Sequence, residues 1–159
     1  SHSFGLLWRL HEVHHSDPDF DLTTGFRFHP VEALVRISAG MLVTAACGLS
    51  AGGVVLNALL VLVFTLADHA NVAVPANLDR AIRTVFVSPG LHRNHHSREM
   101  GLQQTNYGVI LSIWDRMFGP WSDPHNIETY GIDGLRNEDT VNFFYMLREP
   151  FRKTETPES

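Results

Sequence analysis

A long uncharged apolar segment lies in the middle of the chain. From Ile37 to Leu66, thirty consecutive residues carry no formal charge, and Asn57 is the one strongly polar side chain among them. A single helix of that length would be about 45 Å long, whereas the hydrocarbon core of a bilayer is about 30 Å thick. The sequence from Leu49 to Gly53 contains a Ser and a Gly-Gly pair, which favour a turn. We therefore predict two membrane-spanning helices, roughly 31–49 and 53–70, joined as a hairpin.

Shorter helices are predicted on both sides of the hairpin. Residues 4–16 have apolar side chains at near-helical spacing and are followed by Asp17-Pro18, which ends a helix. Pro30 is well placed as the first residue of the next helix. Asn77 is predicted to cap a short amphipathic helix, which either lies in the membrane interface or packs on its own domain. Residues 138–149 are predicted as a further helix and 152–159 as a disordered tail.

Two histidine clusters flank the apolar segment with the same pattern, H-x-x-H-H-S. The first contains His11, His14 and His15, and the second contains His92, His95 and His96. The spacing i, i+3, i+4 places three imidazoles on one face of a helix, within one turn of each other. Imidazole is a ligand for zinc, copper, iron and nickel, so each cluster is predicted to bind metal.

Charge and topology narrow the class of protein. A hairpin returns the chain to the side of the membrane that it left, so both histidine patterns lie on the same side. Arginines lie on both flanks of the hairpin and none lies in its turn, which places the patterns in the cytoplasm by the positive-inside rule.

Charge and cysteine content exclude other classes of protein. The net charge of -5 gives no basic surface for nucleic acid. Cys47 is the single cysteine, which excludes an internal disulfide and a CxxC site.

Further histidines and carboxylates extend the predicted metal site. His2 and His69 lie near the ends of apolar segments and raise the number of candidate nitrogen donors to eight, which suits two metal ions better than one. A nearly all-histidine centre of two iron ions can bind and reduce O2 beside a lipid chain. Ligating histidines usually donate their second ring N–H to a carboxylate or carbonyl. The residues predicted to support the ligands in this way, without binding metal, are His29, Glu12, Asp68, Asn71 and Asp115.

Six motifs in order resemble the sterol desaturase and fatty acid hydroxylase superfamily. They are Trp8 to Ser16, Arg27 to Glu32, His69 to Val72, Pro89 to Ser97, Asn106 to Gly108 and Trp114 to Gly119. The resemblance implies an all-α fold, a helical bundle integral to the membrane with a transmembrane hairpin and a cytosolic histidine-rich helical cap. It also implies a centre of two iron ions, with zinc as a possible substitute. The enzyme would use O2 and an electron-transfer protein or reductase to hydroxylate or desaturate a sterol or fatty-acyl lipid in the bilayer.

The start of the chain departs from the pattern of that superfamily. The family has an H-x-x-x-H pair before the first cluster, with its second histidine six residues before the Trp-Arg dipeptide. His2 lies six residues before Trp8 and resembles that second histidine. We therefore expect residues 1–151 to be a hydroxylase-like domain that is incomplete at its N-terminus, with further membrane helices upstream.

Two other functions remain open at this point. The same metal centre can hydroxylate a carotenoid or act as an ether-lipid monooxygenase. Alternatively, the chain is a non-catalytic metal-binding or metal-transport membrane protein. Transport favours polar or charged residues inside the spans as an ion path, and the apolar segment offers only Asn57. The sequence favours the oxygenase.

Overall fold

The computed structural model of the chain describes residues 2, 5–132 and 142–152. Within these residues the regular structure is helical, and the only β pairing is two isolated bridges. The α-helices are α1 (Gly5–His15), α2 (Pro30–Ala46), α3 (Ala51–Asp68), α4 (Ala76–Ile82), α5 (Pro89–His95), α6 (Met100–Gln103), α7 (Ile113–Phe118) and α8 (Phe143–Arg148). Two 3-10 helices, Leu22–Phe26 and Glu149–Phe151, complete the regular elements. The prediction of an all-α fold is confirmed for this part of the chain.

The apolar segment forms two helices, α2 and α3, with a short turn between them. Pro30 is the first residue of α2, as predicted, and the helix ends at Ala46. Gly48 has a φ of 65°, a conformation that glycine adopts without a steric cost, and the Ser50 side chain caps α3 by accepting a hydrogen bond from the Gly53 amide. The turn therefore begins two or three residues earlier than predicted. The reason is that Gly48 ends α2 before the Gly-Gly pair, which lies inside α3.

One helix of the described residues is long and apolar enough to cross a membrane. Helix α3 has 18 residues and a mean hydropathy of 2.0, and only 6% of it is buried inside the protein. Helix α2 has 17 residues, which is about 25 Å at the usual helical rise. Its apolar side chains are also exposed, such as Leu42 at 72%. Both helices thus present apolar surface outward.

The buried interior of the described chain is unusually polar. Five large hydrophobic side chains are buried there, namely Leu10, Val13, Phe20, Val87 and Leu91. They are outnumbered by buried polar residues, which include eight of the ten histidines of the chain. Buried polar groups are costly unless they are hydrogen-bonded or bind a ligand. The buried histidines are therefore expected to have hydrogen-bond partners in the protein or to bind a ligand.

The short helices differ from the sequence predictions at their ends. Helix α4 begins at Ala76, directly after Pro75, so Asn77 lies inside the helix and the prediction that it acts as the cap is wrong. In contrast, α5 begins as its sequence suggests, because the Ser88 side chain accepts a hydrogen bond from the Leu91 amide. Helix α8 covers residues 143–148 of the predicted 138–149. Residues 138–141 and 153–159, most of the predicted tail, lie outside the described residues.

Candidate metal centre

Eight histidines form two sets of four in the middle of the described chain. In each set, one possible ligand atom from every residue lies within 4.8 Å of the others. All but His2 are buried. Cluster A consists of His2, His11, His15 and His95, and cluster B consists of His14, His69, His92 and His96.

Each H-x-x-H-H pattern is divided between the two clusters in the same way. A helix turns about 100° per residue, so residues i and i+4 point about 40° apart, whereas residues i+3 and i+4 diverge by about 100°. His11 and His15, the i and i+4 residues of the first pattern, therefore lie together in cluster A, and His14 lies in cluster B. In the second pattern, His92 and His96 lie together in cluster B, and His95 lies in cluster A. Each pattern thus contributes two ligands to one cluster and one ligand to the other, an arrangement that we call interlocked.

Two histidines outside the patterns complete the clusters. His69 follows the last residue of α3, and its amide donates to the carbonyls of that helix. The chain packs closely here, since a Cβ atom on Gly25 would lie 3.4 Å from the His69 ring. The ring of His2 lies 4.8 to 5.1 Å from the rings of His11, His15 and His95. Each cluster therefore combines donors from at least three separate segments of the chain.

Hydrogen bonds to carbonyl oxygens set the orientation of three of the rings. The Nδ1 atoms of His14, His69 and His95 lie 3.2, 2.7 and 3.0 Å from the carbonyl oxygens of Arg27, Thr65 and Thr105. A carbonyl oxygen only accepts, so each of these Nδ1 atoms carries the proton. Their Nε2 atoms are then left with a lone pair, which is the form of histidine that binds a metal.

The geometry between ring nitrogens fits a metal ion. The Nε2 atoms of His14 and His69 are 3.4 Å apart, and both carry lone pairs, so no hydrogen bond joins them. Other Nε2 pairs, His11 with His15 and His69 with His92, are 3.1 and 3.2 Å apart. With metal–nitrogen bonds of about 2.1 Å, neighbouring ligands lie about 3.0 Å apart in an octahedron and about 3.4 Å apart in a tetrahedron. The spacing matches that of nitrogens that share one ion.

The electrostatics of the clusters favour neutral imidazoles. Burial, together with neighbouring histidines, lowers the pKa of His2 to about 2 and that of His95 to about 3. Burial likewise lowers the pKa values of five more members, namely His14, His15, His69, His92 and His96. Neutral rings do not have to lose a proton before they bind a metal. The set of donors is therefore ready to bind a metal at neutral pH.

A carboxylate that the sequence analysis did not select supports cluster A. Glu32, in the first turn of α2, is 2% exposed and accepts a hydrogen bond of 2.7 Å from His11 Nδ1. Arg36 lies 3.5 Å from the same carboxylate oxygen. The sequence feature that points to this role is a charged residue near the start of an apolar helix.

The five residues predicted to support the ligands have other positions. No hydrogen bond joins Glu12, Asp68 or Asn71 to a histidine ring in the described residues, which differs from the prediction. Glu12 and Asp68 lie on helices, where the side chain of a residue points about 100° away from that of its neighbour in the sequence. His29 caps α2 by accepting from the Val31 amide. Asp115 accepts from the amides of Tyr107 and Gly108 and thereby holds the loop that places the Tyr107 ring against His2 and His95.

A cavity of about 390 Å³ opens beside the two clusters. Its walls come from the histidine-bearing helices α1 and α5 and from the ends of α2 and α3. The residues around it other than histidines are Phe28, Arg36, Thr65, Asp68, Tyr107 and Val109. Its volume lies in the range of small-molecule sites, about 300–1,000 Å³. A ligand in this cavity contacts both clusters.

A comparison of the sequence with models of known protein families identifies the family of this chain. The profile of the fatty acid hydroxylase family matches residues 1–120, which contain all eight clustered histidines. The chain belongs to the fatty acid hydroxylase family. This is a family of enzymes known for iron-dependent hydroxylation, and the two histidine clusters of the chain are suited to bind metal. The superfamily resemblance found in the sequence is thereby confirmed.

Curated relatives of this family member act on two kinds of lipid. The chain is 28% identical over 153 residues to the ornithine lipid hydroxylase OlsE of Rhizobium tropici, which covers 96% of the chain and 45% of that protein. It is 26% identical to the alkylglycerol monooxygenases of Caenorhabditis elegans and Homo sapiens, over 91% and 83% of the chain and 28% of each relative. The chain thus spans less than half the length of these relatives. No solved structure matches it significantly.

Proposed function

We propose that the chain is the catalytic part of a membrane-bound lipid hydroxylase that uses two iron ions and O2. The observation that carries this proposal is the pair of four-histidine clusters, in which neutral nitrogens face each other at 3.1 to 3.4 Å. Cluster A would hold one ion and cluster B the other, and zinc would be able to replace iron in both. The overall reaction converts R–H, O2, two electrons and two protons into R–OH and water.

The bound iron supplies the O2 activation, and the residues of the chain hold and position the reactants. The eight histidines would bind the ions, while Glu32 and the three carbonyl oxygens fix the orientation of four of the rings, those of His11, His14, His69 and His95. Phe28 and Val109 give the cavity apolar walls for the part of the lipid that reacts. No acid, base or nucleophile of the protein is required. The electrons come from an external redox protein or reductase.

The substrate class follows from the relatives and the cavity. Both kinds of relative act on lipids that carry a polar head, according to their names, an ornithine lipid and an alkylglycerol. The cavity of this chain combines apolar side chains with Arg36 and Asp68. We therefore favour a polar membrane lipid over a carotenoid as the substrate. Ether-lipid cleavage is the second candidate, because several of the relatives are alkylglycerol monooxygenases.

We also propose that α2 and α3 form a transmembrane hairpin with the histidine clusters on the cytoplasmic side. The exposed apolar side chains of both helices and the arginines outside them support this topology. Helices α4 and α7 would lie in the membrane interface beside the hairpin, since Leu78, Trp114 and Phe118 are 53%, 54% and 76% exposed. A lipid would then reach the cavity from the bilayer, between the ends of α2 and α3.

Iron content and lipid-dependent O2 consumption test the proposed function. The full-length protein, purified in lipid nanodiscs and loaded with ferrous iron, is expected to bind about two ions per chain. With a reductant, it should consume O2 and form a hydroxylated product, detected by mass spectrometry, when an ornithine lipid or an alkylglycerol is supplied. Bound iron without O2 consumption for any lipid would instead support the non-catalytic metal-binding protein.

The position of Cys47 allows a direct test of the membrane crossing by α3, which the hairpin requires. This cysteine is exposed in the turn between α2 and α3, and it is the only cysteine of the chain. A maleimide reagent that does not cross membranes is expected to label Cys47 in intact cells. In a Cys47→Ser, His125→Cys variant, the same reagent should label the new cysteine only after the cells are permeabilised. Labelling of both positions from the same side would contradict the hairpin.

A further inference from the structure

We propose that Asp68 binds the hydrogen-bond-donating group of the lipid substrate, a hydroxyl or an ammonium group, in the cavity beside the histidine clusters. The inference deepens the proposed function and rests on it. It assigns to Asp68 a role in substrate selection that is separate from metal binding. The shared chemistry of the two groups is an O–H or N–H that is directed at a carboxylate.

The carboxylate of Asp68 is buried without a partner. The residue is 1% exposed, and neither of its side-chain oxygens forms a hydrogen bond within the described part of the chain. A buried carboxyl group without a hydrogen-bond partner is unfavourable in a protein interior, and such a group in a native structure calls for a partner. Because Asp68 lines the cavity, a ligand in the cavity is able to supply the missing donors.

The groups around Asp68 have other partners. Arg36, a cation in the same cavity wall, lies 3.5 Å from Glu32 and stacks over the Phe28 ring at 4.8 Å. The Nδ1 of the adjacent His69 donates to the Thr65 carbonyl at 2.7 Å. The groups of possible metal donors within 4.8 Å of one another do not include the Asp68 carboxylate. Asp68 is therefore available to a substrate.

The position of Asp68 explains how one end of a lipid would be selected. The cavity brings the carboxylate together with members of both clusters, including His11, His14, His92 and His95. A polar group held by Asp68 thus keeps the carbons next to it inside the cavity, beside the histidines. The acyl or alkyl chain would extend toward the apolar surfaces of α2 and α3. The protein would then select a lipid by the hydrogen-bond donor in its polar group and not by the length of its acyl or alkyl chain.

A matched set of lipids tests the donor requirement. The probes are a 1-O-alkylglycerol and its 2,3-di-O-methyl ether, together with an aminoacyl lipid and its N-trimethylated form. Binding to the iron-loaded full-length protein in nanodiscs is measured without O2, by competition with a fluorescent lipid. We expect the wild type to bind at least one free donor lipid about tenfold more tightly than its methylated form, the loss expected for one hydrogen bond to a charged group. The member of the set that shows this preference identifies hydroxyl or ammonium as the donor.

Variants separate the role of Asp68 from that of the metal ions. Asp68→Leu is expected to bind the free and methylated lipids with affinities within about twofold, because it has no acceptor, while it keeps the iron content of the wild type. Asp68→Asn keeps one acceptor oxygen but no charge, so its preference should lie between those of the wild type and Asp68→Leu, again with unchanged iron content. Asp123→Asn is the control, because the Asp123 side chain is 72% exposed and pairs with Arg83 on the surface. It should retain the tenfold preference.

Three results would overturn the inference. The first is a wild type that binds methylated and free lipids equally, and the second is an Asp68→Leu variant that keeps the tenfold preference. The third is a loss of iron from the Asp68 variants. Failure of the proposed function has a different signature. In that case, the wild type itself binds no iron or consumes no O2 with any of the lipids.

Discussion

Replacing His14 with alanine is expected to remove one of the two metal ions, and replacing the adjacent His15 is expected to remove the other. The two residues follow each other in the sequence but belong to different clusters. A cluster that keeps three of its four nitrogens binds its ion much more weakly, whereas the other cluster is intact. Each single variant should therefore contain about one ion per chain and lack hydroxylase activity.

Double variants distinguish interlocked clusters from separate ones. His14→Ala with His15→Ala damages both clusters and should leave no tightly bound iron. His14→Ala with His92→Ala removes two ligands of cluster B only, so about one ion should remain in cluster A. Iron is measured by mass spectrometry after dialysis against a chelator. The control is His125→Ala, an exposed loop residue, which should keep both ions. Equal iron content in the two double variants would contradict the interlocked arrangement.

The sequence predicts which histidines form the metal centre but not how they are divided between the two clusters. The repeated pattern selects His11, His14, His15 and their counterparts because its spacing is a local property of a helix. The division into clusters depends on how α1 and α5 approach each other, which local spacing does not specify. The angle between consecutive helical residues contains part of the answer, since it separates His14 from His15. Only the three-dimensional packing shows that His14 lies with His92 and His96 in cluster B. It likewise shows that His95 lies with His11 and His15 in cluster A.

The carboxylates that support the histidine ligands are even harder to predict from the sequence. Glu12 and Asp68 are each next to a histidine in the sequence, but a neighbour on a helix points about 100° away. Glu32 is 21 residues from His11, and a contact between two helices brings them together. Its place near the start of an apolar helix, where a charge is costly, was the available indication. Burial of the charge, and not its distance along the chain, identifies the functional carboxylate.

The substitution Glu32→Gln is expected to weaken one metal site and to leave the other unchanged. The Glu32 carboxylate accepts a hydrogen bond of 2.7 Å from His11 Nδ1, which orients the ring and makes its Nε2 a stronger donor. Glutamine retains the size and one acceptor oxygen but removes the negative charge. Loss of such a carboxylate usually lowers metal affinity by about 10-fold to 100-fold. The ion of cluster A should therefore be lost first when a chelator is added.

The matched control is Glu12→Gln, which changes the same type of residue on the helix that carries His11. Glu12 is partly buried, and burial raises the pKa of its carboxyl group, yet no hydrogen bond joins it to a histidine ring in the described residues. Chelator titration of the two variants, each with zinc in both sites, should give the two affinities of the wild type for Glu12→Gln and a lowered affinity at cluster A alone for Glu32→Gln. A purely structural role of Glu32 would instead lower both affinities together, because α2 borders the cavity shared by the clusters. A lowered affinity at cluster A alone thus distinguishes control of the His11 ring from support of the fold.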